Sequence, residues 1–154
     1  MKNLALITAL LLISATGFGQ KANFSGSWTL NNEKSDLGDQ FSLAPKSMTV
    51  EHAKKTLDME RDYMFQGQEF QTKDHFTLDG KECENTGWRE TIVKSTATWD
   101  RKTKTITINS KAPMQDGGEA NIVQKFFMDG QNLVIEASMS SSYGEMEERY
   151  VFDK

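Results

Sequence analysis

Apolar and polar residues alternate with a period of two along almost the whole chain from residue 23 onward. In "TLDMERDYMFQ" (56–66), Leu57, Met59 and Tyr63 share one parity, and acidic residues fill the other. Successive side chains of a β-strand point to opposite faces of its sheet, so this pattern predicts strands with one buried face. No comparable stretch follows the 3.6-residue period of an amphipathic helix. The alternation therefore predicts an all-β protein.

The alternating runs predict nine or ten short strands: 23–31, 47–53, 56–66, 69–80, a short one in 81–85, 90–100, 104–112, 119–130, 132–140 and 144–154. Two runs end in Asp79–Gly80 and Asp129–Gly130, and Asp–Gly is a strong signal for a two-residue hairpin turn. Many strands joined by short turns indicate a single antiparallel up-and-down barrel of about eight to ten strands, or a sandwich. The connection 32–46 is long enough to act as a lid over an open mouth.

The first nineteen residues read as a cleaved signal peptide. Lys2 precedes the apolar run Leu4–Ile13, and small residues stand at Gly17 and Gly19. We expect cleavage after Gly19, which leaves 20–154 as one barrel domain that is exported to the periplasm or the extracellular space. The apolar run is too short to cross a bilayer, so we expect no stable membrane insertion after cleavage.

Charge and cysteine content exclude several function classes. The chain has 18 basic and 22 acidic residues, and loss of Lys2 makes the mature chain one unit more negative than -4. Nucleic acids and anionic membranes require a basic face, so neither is an expected partner. The single cysteine, Cys83, can form no internal disulfide, and stability must come from buried apolar side chains.

The stretch "FSGSWTLNN" (24–32) predicts how the barrel closes. A glycine at position 26 lets the strand bend sharply and lets neighbouring backbone approach. Trp28 has the same inward parity as Gly26 and Phe24, and we expect its ring to plug the closed end.

This G-x-W opening strand resembles that of the calycins, which comprise lipocalins, fatty-acid-binding proteins and avidins. The ending "ERYVFDK" resembles the last strand of fatty-acid-binding proteins. "SGSWTLNNEKSDLG", "TWDRKTKTITI" and "FFMDGQNLVIEA" are similar to uncharacterised secreted lipocalin-like proteins of bacteria. The resemblance covers residues 23–154 and implies a calycin barrel that holds a small apolar or amphipathic molecule.

The sequence also departs from that pattern. The resemblance implies a helical pair between the first two strands, but 32–46 contains Gly38 and Pro45 and lacks helical periodicity. In fatty-acid-binding proteins an arginine and a tyrosine two residues apart on the last strand bind the carboxylate. Tyr150 and Phe152 stand at the corresponding positions, so the family's ligand anchor is missing.

Arg61 is the inward charge that most needs a partner, because an unpaired buried guanidinium is strongly unfavourable. Asp74 and Glu148 share its inward parity and are candidate internal partners. The alternative is a ligand carboxylate or phosphate. Arg149 should point outward, either across Trp28 as a cation–π contact or as a solvated surface charge.

Inward residues that are aromatic, polar or flexible form the predicted ligand-binding set. Its members are Arg61, Tyr63, Phe65, Phe70, Thr72, Phe76, Phe126, Met139 and Tyr150. Inward methionines suit a cavity for ligands of variable shape, but they also fill irregular cores. The two interpretations, a ligand cavity and a filled core, differ in whether these side chains leave free space inside the barrel.

We expect no metal and no cofactor. His52 and His75 are the only histidines, and neither lies in a zinc-ligand spacing. No nucleophile–base arrangement is evident, so we expect a binding protein and not an enzyme. The alternative function is an exported protein-binding module, an inhibitor or envelope adaptor, that acts through the loops at one barrel end.

Overall fold

The computed structural model describes residues 23–39 and 41–154. The predicted signal peptide and its cleavage site lie outside the described residues.

Ten β-strands make up the described chain, and no α-helix occurs in it. Their bounds are β1 Gly26–Leu30, β2 Ser47–His52, β3 Thr56–Phe65, β4 Gln68–Thr77, β5 Asp79–Thr86, β6 Ile92–Asp100, β7 Thr105–Pro113, β8 Glu119–Asp129, β9 Asn132–Ser141 and β10 Gly144–Asp153. A single 3₁₀ turn, Trp88–Glu90, separates β5 from β6. The all-β prediction is confirmed, and most strand ends differ from the expected ones by only a few residues.

The strands form one antiparallel sheet in the order β4-β3-β2-β1-β10-β9-β8-β7-β6-β5. Chain neighbours pair in every case except β4 with β5, and β1 pairs with β10 to join the two halves. The sheet curls into a nearly closed up-and-down barrel, which confirms the predicted architecture.

The seam between β4 and β5 is closed by a side chain instead of a backbone ladder. The amide of Asn85 on β5 accepts a hydrogen bond from the His75 backbone N–H at 2.8 Å and donates one to the His75 carbonyl at 3.2 Å. Asn85 thus mimics a peptide group across the gap.

The expected hairpin turn at Asp79–Gly80 is wrong. Thr77 ends β4, and Asp79 and Gly80 already belong to β5, where the register against β6 shifts between Asp79 and Glu82. Gly80, with a φ of +79°, lies within this register shift. The glycine therefore accommodates a β-bulge and does not form a two-residue loop. At the other pair, a two-residue turn does form one residue later than predicted, with Gly130 and Gln131 between the paired residues Asp129 and Asn132.

The closed end is built around Trp28 as the opening stretch predicts. Its ring is 2% exposed, and the indole N–H donates to the Phe24 carbonyl at 2.8 Å. Gly26 adopts a φ of +143°, and a Cβ there would lie 3.0 Å from Cε of Lys154. A side chain at position 26 would therefore meet both backbone strain and crowding.

Lys154, not Arg149, lies over the tryptophan, with its Nζ 5.5 Å from the ring centre of Trp28. Arg149 is 41% exposed, and its guanidinium is 3.7 Å from Asp129 on the outer surface. The cation–π alternative for Arg149 is wrong, and the surface-charge alternative holds.

The apolar core fills the closed half of the barrel. Its members are Phe24, Trp28, Met48, Val50, Leu57, Met59, Phe76, Ala97, Ile106, Ile108, Phe126, Leu133, Ile135, Ala137, Tyr150 and Phe152. In the part of the chain that the structure describes, no helix is long and apolar enough to cross a membrane.

Candidate functional site

Strands β3 and β4 place a buried ion pair inside the barrel, just above the apolar core. Asp74 Oδ2 accepts hydrogen bonds from Arg61 Nη2 at 2.8 Å and Arg61 Nε at 3.1 Å. The Thr72 hydroxyl donates to the same oxygen at 3.0 Å. Of the alternatives for Arg61, the structure therefore selects internal pairing, and Asp74 is the partner.

Strand β8 reaches the ion pair from the opposite wall. Gln124 is 9% exposed, and its Oε1 accepts a longer hydrogen bond, 3.4 Å, from Arg61 Nη1. Arg61 thus bridges the β3–β4 wall and the β8 wall through one planar group. We call Arg61, Thr72, Asp74 and Gln124 the polar layer.

Burial and neighbouring charges set the ionisation of this region. Burial lowers the pKa of Arg61, but Tyr63 and Asp74 outweigh it and raise the pKa above its ordinary value, so Arg61 stays charged. Burial also raises the pKa of Tyr63 and keeps its phenol neutral. The region holds a permanent cation beside an uncharged phenol.

A second carboxylate, Glu148 on β10, anchors the connection between β1 and β2. Its Oε1 accepts the Gly38 N–H at 2.8 Å, and its Oε2 accepts the Leu43 N–H at 3.1 Å and the Tyr150 hydroxyl at 2.6 Å. Burial raises the pKa of Glu148, but these hydrogen bonds outweigh it and bring the pKa below its ordinary value. Burial and the hydrogen bond to Glu148 raise the pKa of Tyr150, which remains a neutral donor.

Gly38 is required where the connection folds over Glu148. A Cβ at this position would lie 2.3 Å from the Phe41 carbonyl oxygen, which is closer than two such atoms can approach. Without a side chain, the backbone packs tightly enough for the Gly38 N–H to reach Glu148. The connection between β1 and β2, for which a lid role was predicted, is thus held against β10 by specific hydrogen bonds.

Above the polar layer, a chain of aromatic rings runs to the surface. The Tyr63 and Phe70 rings stack at 4.9 Å, and Phe70 lies 4.3 Å from Trp88, measured between ring centres. Phe65 contacts Trp88 at 5.8 Å and Phe41 of the connection at 5.7 Å. The Arg61 guanidinium lies 5.8 Å from the Tyr63 ring centre, so this aromatic chain begins at the polar layer.

The structure divides the predicted ligand-binding residues into two groups. Arg61, Tyr63, Phe65, Phe70 and Thr72 lie together on β3 and β4; Thr72 is buried, and the other four are half-buried. Met139 is half-buried on β9, toward the mouth. By contrast, Phe76, Phe126 and Tyr150 lie in the apolar core. These three contact a ligand only if it penetrates below the polar layer.

Two participants were missed from the sequence. Gln124 has the inward parity of Phe126, which was an available signal, but it carries no charge and was not singled out. Trp88 belongs to the 3₁₀ turn and not to an alternating run, so parity makes no prediction for it. A bulky aromatic in a turn next to glycine was the only available signal.

The five inward methionines are divided in the same way. Met48 and Met59 are 2% exposed and belong to the apolar core, and Met128 packs against it. Met139 and Met146 face each other in register near the mouth and are half-buried. The core-filling reading holds for the first three residues.

Among the described residues, two open grooves of about 340 and 440 Å³ lie along the barrel wall. The first combines outward Lys125 and Arg149 with inward Glu148, and the second combines outward Lys46 and Asp62 with Tyr63 and Phe70 of the aromatic chain. Among the described residues, no group of three or more His, Cys, Asp or Glu side chains is arranged to hold a metal ion. The groove that reaches Tyr63 and Phe70 supports the mouth half of the barrel as the candidate site.

Comparison with known proteins shows the fold. No protein-family model matches the chain, and no curated protein matches it. The structure is similar to that of the fatty-acid-binding protein isolated from Manduca sexta L, with a TM-score of 0.52 and 16% sequence identity. The match covers 86% of this chain and 100% of that protein. The barrel therefore has the calycin type of fold that the opening strand suggested.

Proposed function

We propose that this chain is an exported, non-enzymatic binding protein that holds a small hydrophobic or amphipathic molecule in the mouth half of its barrel. The observation that carries the proposal is the aromatic chain, which connects the surface ring of Phe41 to the buried guanidinium of Arg61. Such a path offers an apolar ligand contact along its length and a polar group at its inner end. The barrel fold of a fatty-acid-binding protein supports the same function.

Burial supplies the binding energy in this proposal. Each ligand methylene that leaves water contributes roughly 0.8 kcal/mol, so the roughly 8 kcal/mol of micromolar binding requires on the order of ten buried methylenes or more. Access requires the connection between β1 and β2 to move, because its Phe41 ring packs on Phe65. The backbone hydrogen bonds to Glu148 hold that connection while the ligand is inside.

The test is titration of the protein with Nile red, a neutral apolar dye whose emission rises in apolar surroundings. We expect saturable binding of one dye per chain, with quenching of Trp88 emission. Phe65→Ser should weaken binding by about tenfold, since it removes a ring from the middle of the aromatic chain. The matched control is Tyr143→Ser, which removes a 75% exposed ring at the same barrel end. Absence of saturable binding, or equal loss in the two variants, would refute the proposal.

Export is tested separately. The protein is expressed with its own leader, and the intact mass of the secreted product is measured. The expected product begins at Gln20. Retention of residues 1–19 would contradict the proposed cleavage.

The second candidate is the protein-binding module, and a specific observation favours it. Four large hydrophobic side chains with high exposure, Phe41, Met64, Ile92 and Tyr143, all lie in turns or strand ends at the mouth. Exposed apolar groups concentrated at one end are typical of an interaction surface. If Met64→Ser with Ile92→Ser abolishes capture of one stoichiometric envelope protein and leaves dye binding unchanged, this function is supported.

A further inference from the structure

The hydrogen bonds of Asp74 are unevenly distributed between its two oxygens. All three donors, two from Arg61 and one from Thr72, reach Oδ2. Within the described residues, no donor reaches Oδ1, although the residue is only 8% exposed. Every fully enclosed side-chain nitrogen or oxygen in that part of the chain has a partner, so Oδ1 borders open space.

Gln124 has the complementary property. Its Oε1 is turned to Arg61, and its Nε2 donates to no acceptor in the described chain. By the same reasoning, Nε2 also borders open space. The polar layer therefore leaves Asp74 Oδ1 without a donor and Gln124 Nε2 without an acceptor, next to a guanidinium that gives three of its five N–H groups to Asp74 and Gln124.

The charges around this space are unfavourable for an anion. Asp74 neutralises Arg61, and Glu148 adds a further negative charge. Glu148 pairs in register with Ala137, which pairs with Gln124, so Glu148 lies two strands from Gln124, or roughly 10 Å. The oxygens of Glu148 are occupied by backbone N–H groups and Tyr150, so it contributes charge without offering an acceptor.

A ligand carboxylate here would face two carboxylates, and the charge of the nearby cation, Arg61, is already neutralised by Asp74. A ligand ammonium would lose its hydration on entering the barrel. The carboxylate it would meet, Asp74, is already neutralised by Arg61, so the attraction would not compensate for the desolvation. A hydroxyl or a primary amide donates and accepts without bringing a charge, so its chemistry matches an open acceptor and an open donor.

Resting on the proposed function, we propose that Asp74 and Gln124 bind the uncharged head group of an amphipathic ligand, a hydroxyl or a primary amide, and that the barrel excludes carboxylates. The hydrogen-bond donor of the head group bonds to Asp74 Oδ1, and its acceptor bonds to Gln124 Nε2. The alkyl chain lies along the aromatic chain toward the mouth.

The test uses the wild-type protein and three ligands of equal chain length: 1-decanol, decanoate and decylamine. Each displaces Nile red at about pH 8, where decanoate and decylamine are charged. We expect decanol to bind about tenfold more tightly than decanoate and more tightly than decylamine. Equal or tighter binding of either charged ligand overturns the inference.

Two variants locate the effect. Gln124→Leu keeps the ion pair intact and should weaken decanol several-fold. Asp74→Asn leaves Arg61 without its counter-charge, so it should reverse the preference in favour of decanoate. If Asp74→Asn does not fold, the head-group inference is still tested by the three ligands and by Gln124→Leu. An unchanged decanol affinity in Gln124→Leu would contradict the assignment of Gln124 to the head group.

The two proposals fail in different ways. If Nile red and all three ligands fail to bind, the proposed function falls and this inference falls with it. If Nile red binds but the three head groups are not distinguished, only the head-group inference is wrong.

Discussion

The closed half and the mouth half of this barrel share the same strands but differ in chemistry. In the closed half, Trp28, Ile106 and Phe126 are at most 2% exposed and pack only apolar surface together. In the mouth half, the ion pair of Arg61 and Asp74 lies beneath rings that remain partly exposed. At the closed end, the strands contribute buried apolar side chains that stabilise the fold. At the mouth, the same strands contribute aromatic side chains that remain partly exposed.

The difference shows how a small barrel accommodates buried charge. Two buried carboxylates and a guanidinium are tolerable because every one of them receives or donates several hydrogen bonds. Their net contribution to stability is small, since desolvation offsets the attraction. The closed half must therefore hold the fold together, and four predictions test that division.

The largest effect is expected from Phe126→Ala in the closed half. Phe126 is 0% exposed and pairs in register with Ile106 and Ile135. Loss of the ring leaves a cavity and should lower the free energy of unfolding by about 3–5 kcal/mol. Phe65→Ala, the same change in the mouth half, should lower it by less than about 1.5 kcal/mol. Urea unfolding measures both, and equal losses would abolish the distinction between the halves.

Next in size is the response to breaking the ion pair. Arg61→Met leaves Asp74 charged and buried, which should destabilise the protein by about 3 kcal/mol. Arg61→Met combined with Asp74→Leu should recover most of this loss, because the mouth half does not depend on the charges for stability. The control is Lys73→Ala, which removes an exposed pair with Glu60 and should cost less than about 0.5 kcal/mol. A double variant as unstable as the single one would show that the pair supports the fold.

A smaller effect, dependent on pH, is expected from Glu148→Gln. The charged form accepts three hydrogen bonds, so the change should remove about 1.5–3 kcal/mol at neutral pH. The pKa of Glu148 is lowered in the folded state, so its contribution is complete above the unfolded value of 4.5 and is lost as pH falls through the folded value. The stability difference between wild type and variant should therefore shrink on acidification below about pH 4.

Amide hydrogen exchange provides the spatial check on this variant. Protection of the Gly38 and Leu43 amides should fall, while protection of β8 and β9 in the closed half should persist. A uniform loss of protection would mean that Glu148 stabilises the whole barrel.

The smallest effect is expected from Gly26→Ala at the closed end. The φ of +143° strains any side chain, and Lys154 must shift to admit the new Cβ, at a cost of about 1–2 kcal/mol. Gly67→Ala is the matched control, since it has a φ of +77° but no atom within 4 Å of the new Cβ. Thermal unfolding compares them, and a loss in Gly26→Ala no larger than in Gly67→Ala would remove the crowding argument.

Much of the fold follows from local patterns. Parity assigned Phe24, Trp28 and Leu57 to the interior because side-chain direction depends only on position within a strand. The same parity placed Arg61, Asp74 and Glu148 inside. It could not say which carboxylate meets Arg61, because that depends on which strands pair and in what register.

The predictions that failed concern positions whose role depends on contacts between distant parts of the chain. Asp79–Gly80 looks like a hairpin turn from its own residues, but β4 and β5 form no ladder, and the pair becomes a bulge against β6. Lys154 reaches Trp28 because β10 returns to pair with β1. Trp88 and Gln124 enter the site only because distant segments meet at one end of the barrel.

By itself, the sequence determined that this chain forms alternating strands with an apolar interior, a bend at Gly26 and a ring that closes one end. Those properties are local, since they depend on period-two geometry and on the conformational freedom of one glycine. Only the tertiary structure decided that Arg61 pairs with Asp74, that Glu148 holds the connection over the mouth, and that Asp74 and Gln124 keep one open atom each. Such contacts join residues far apart in the chain, and the closure of the sheet alone brings them within hydrogen-bond distance.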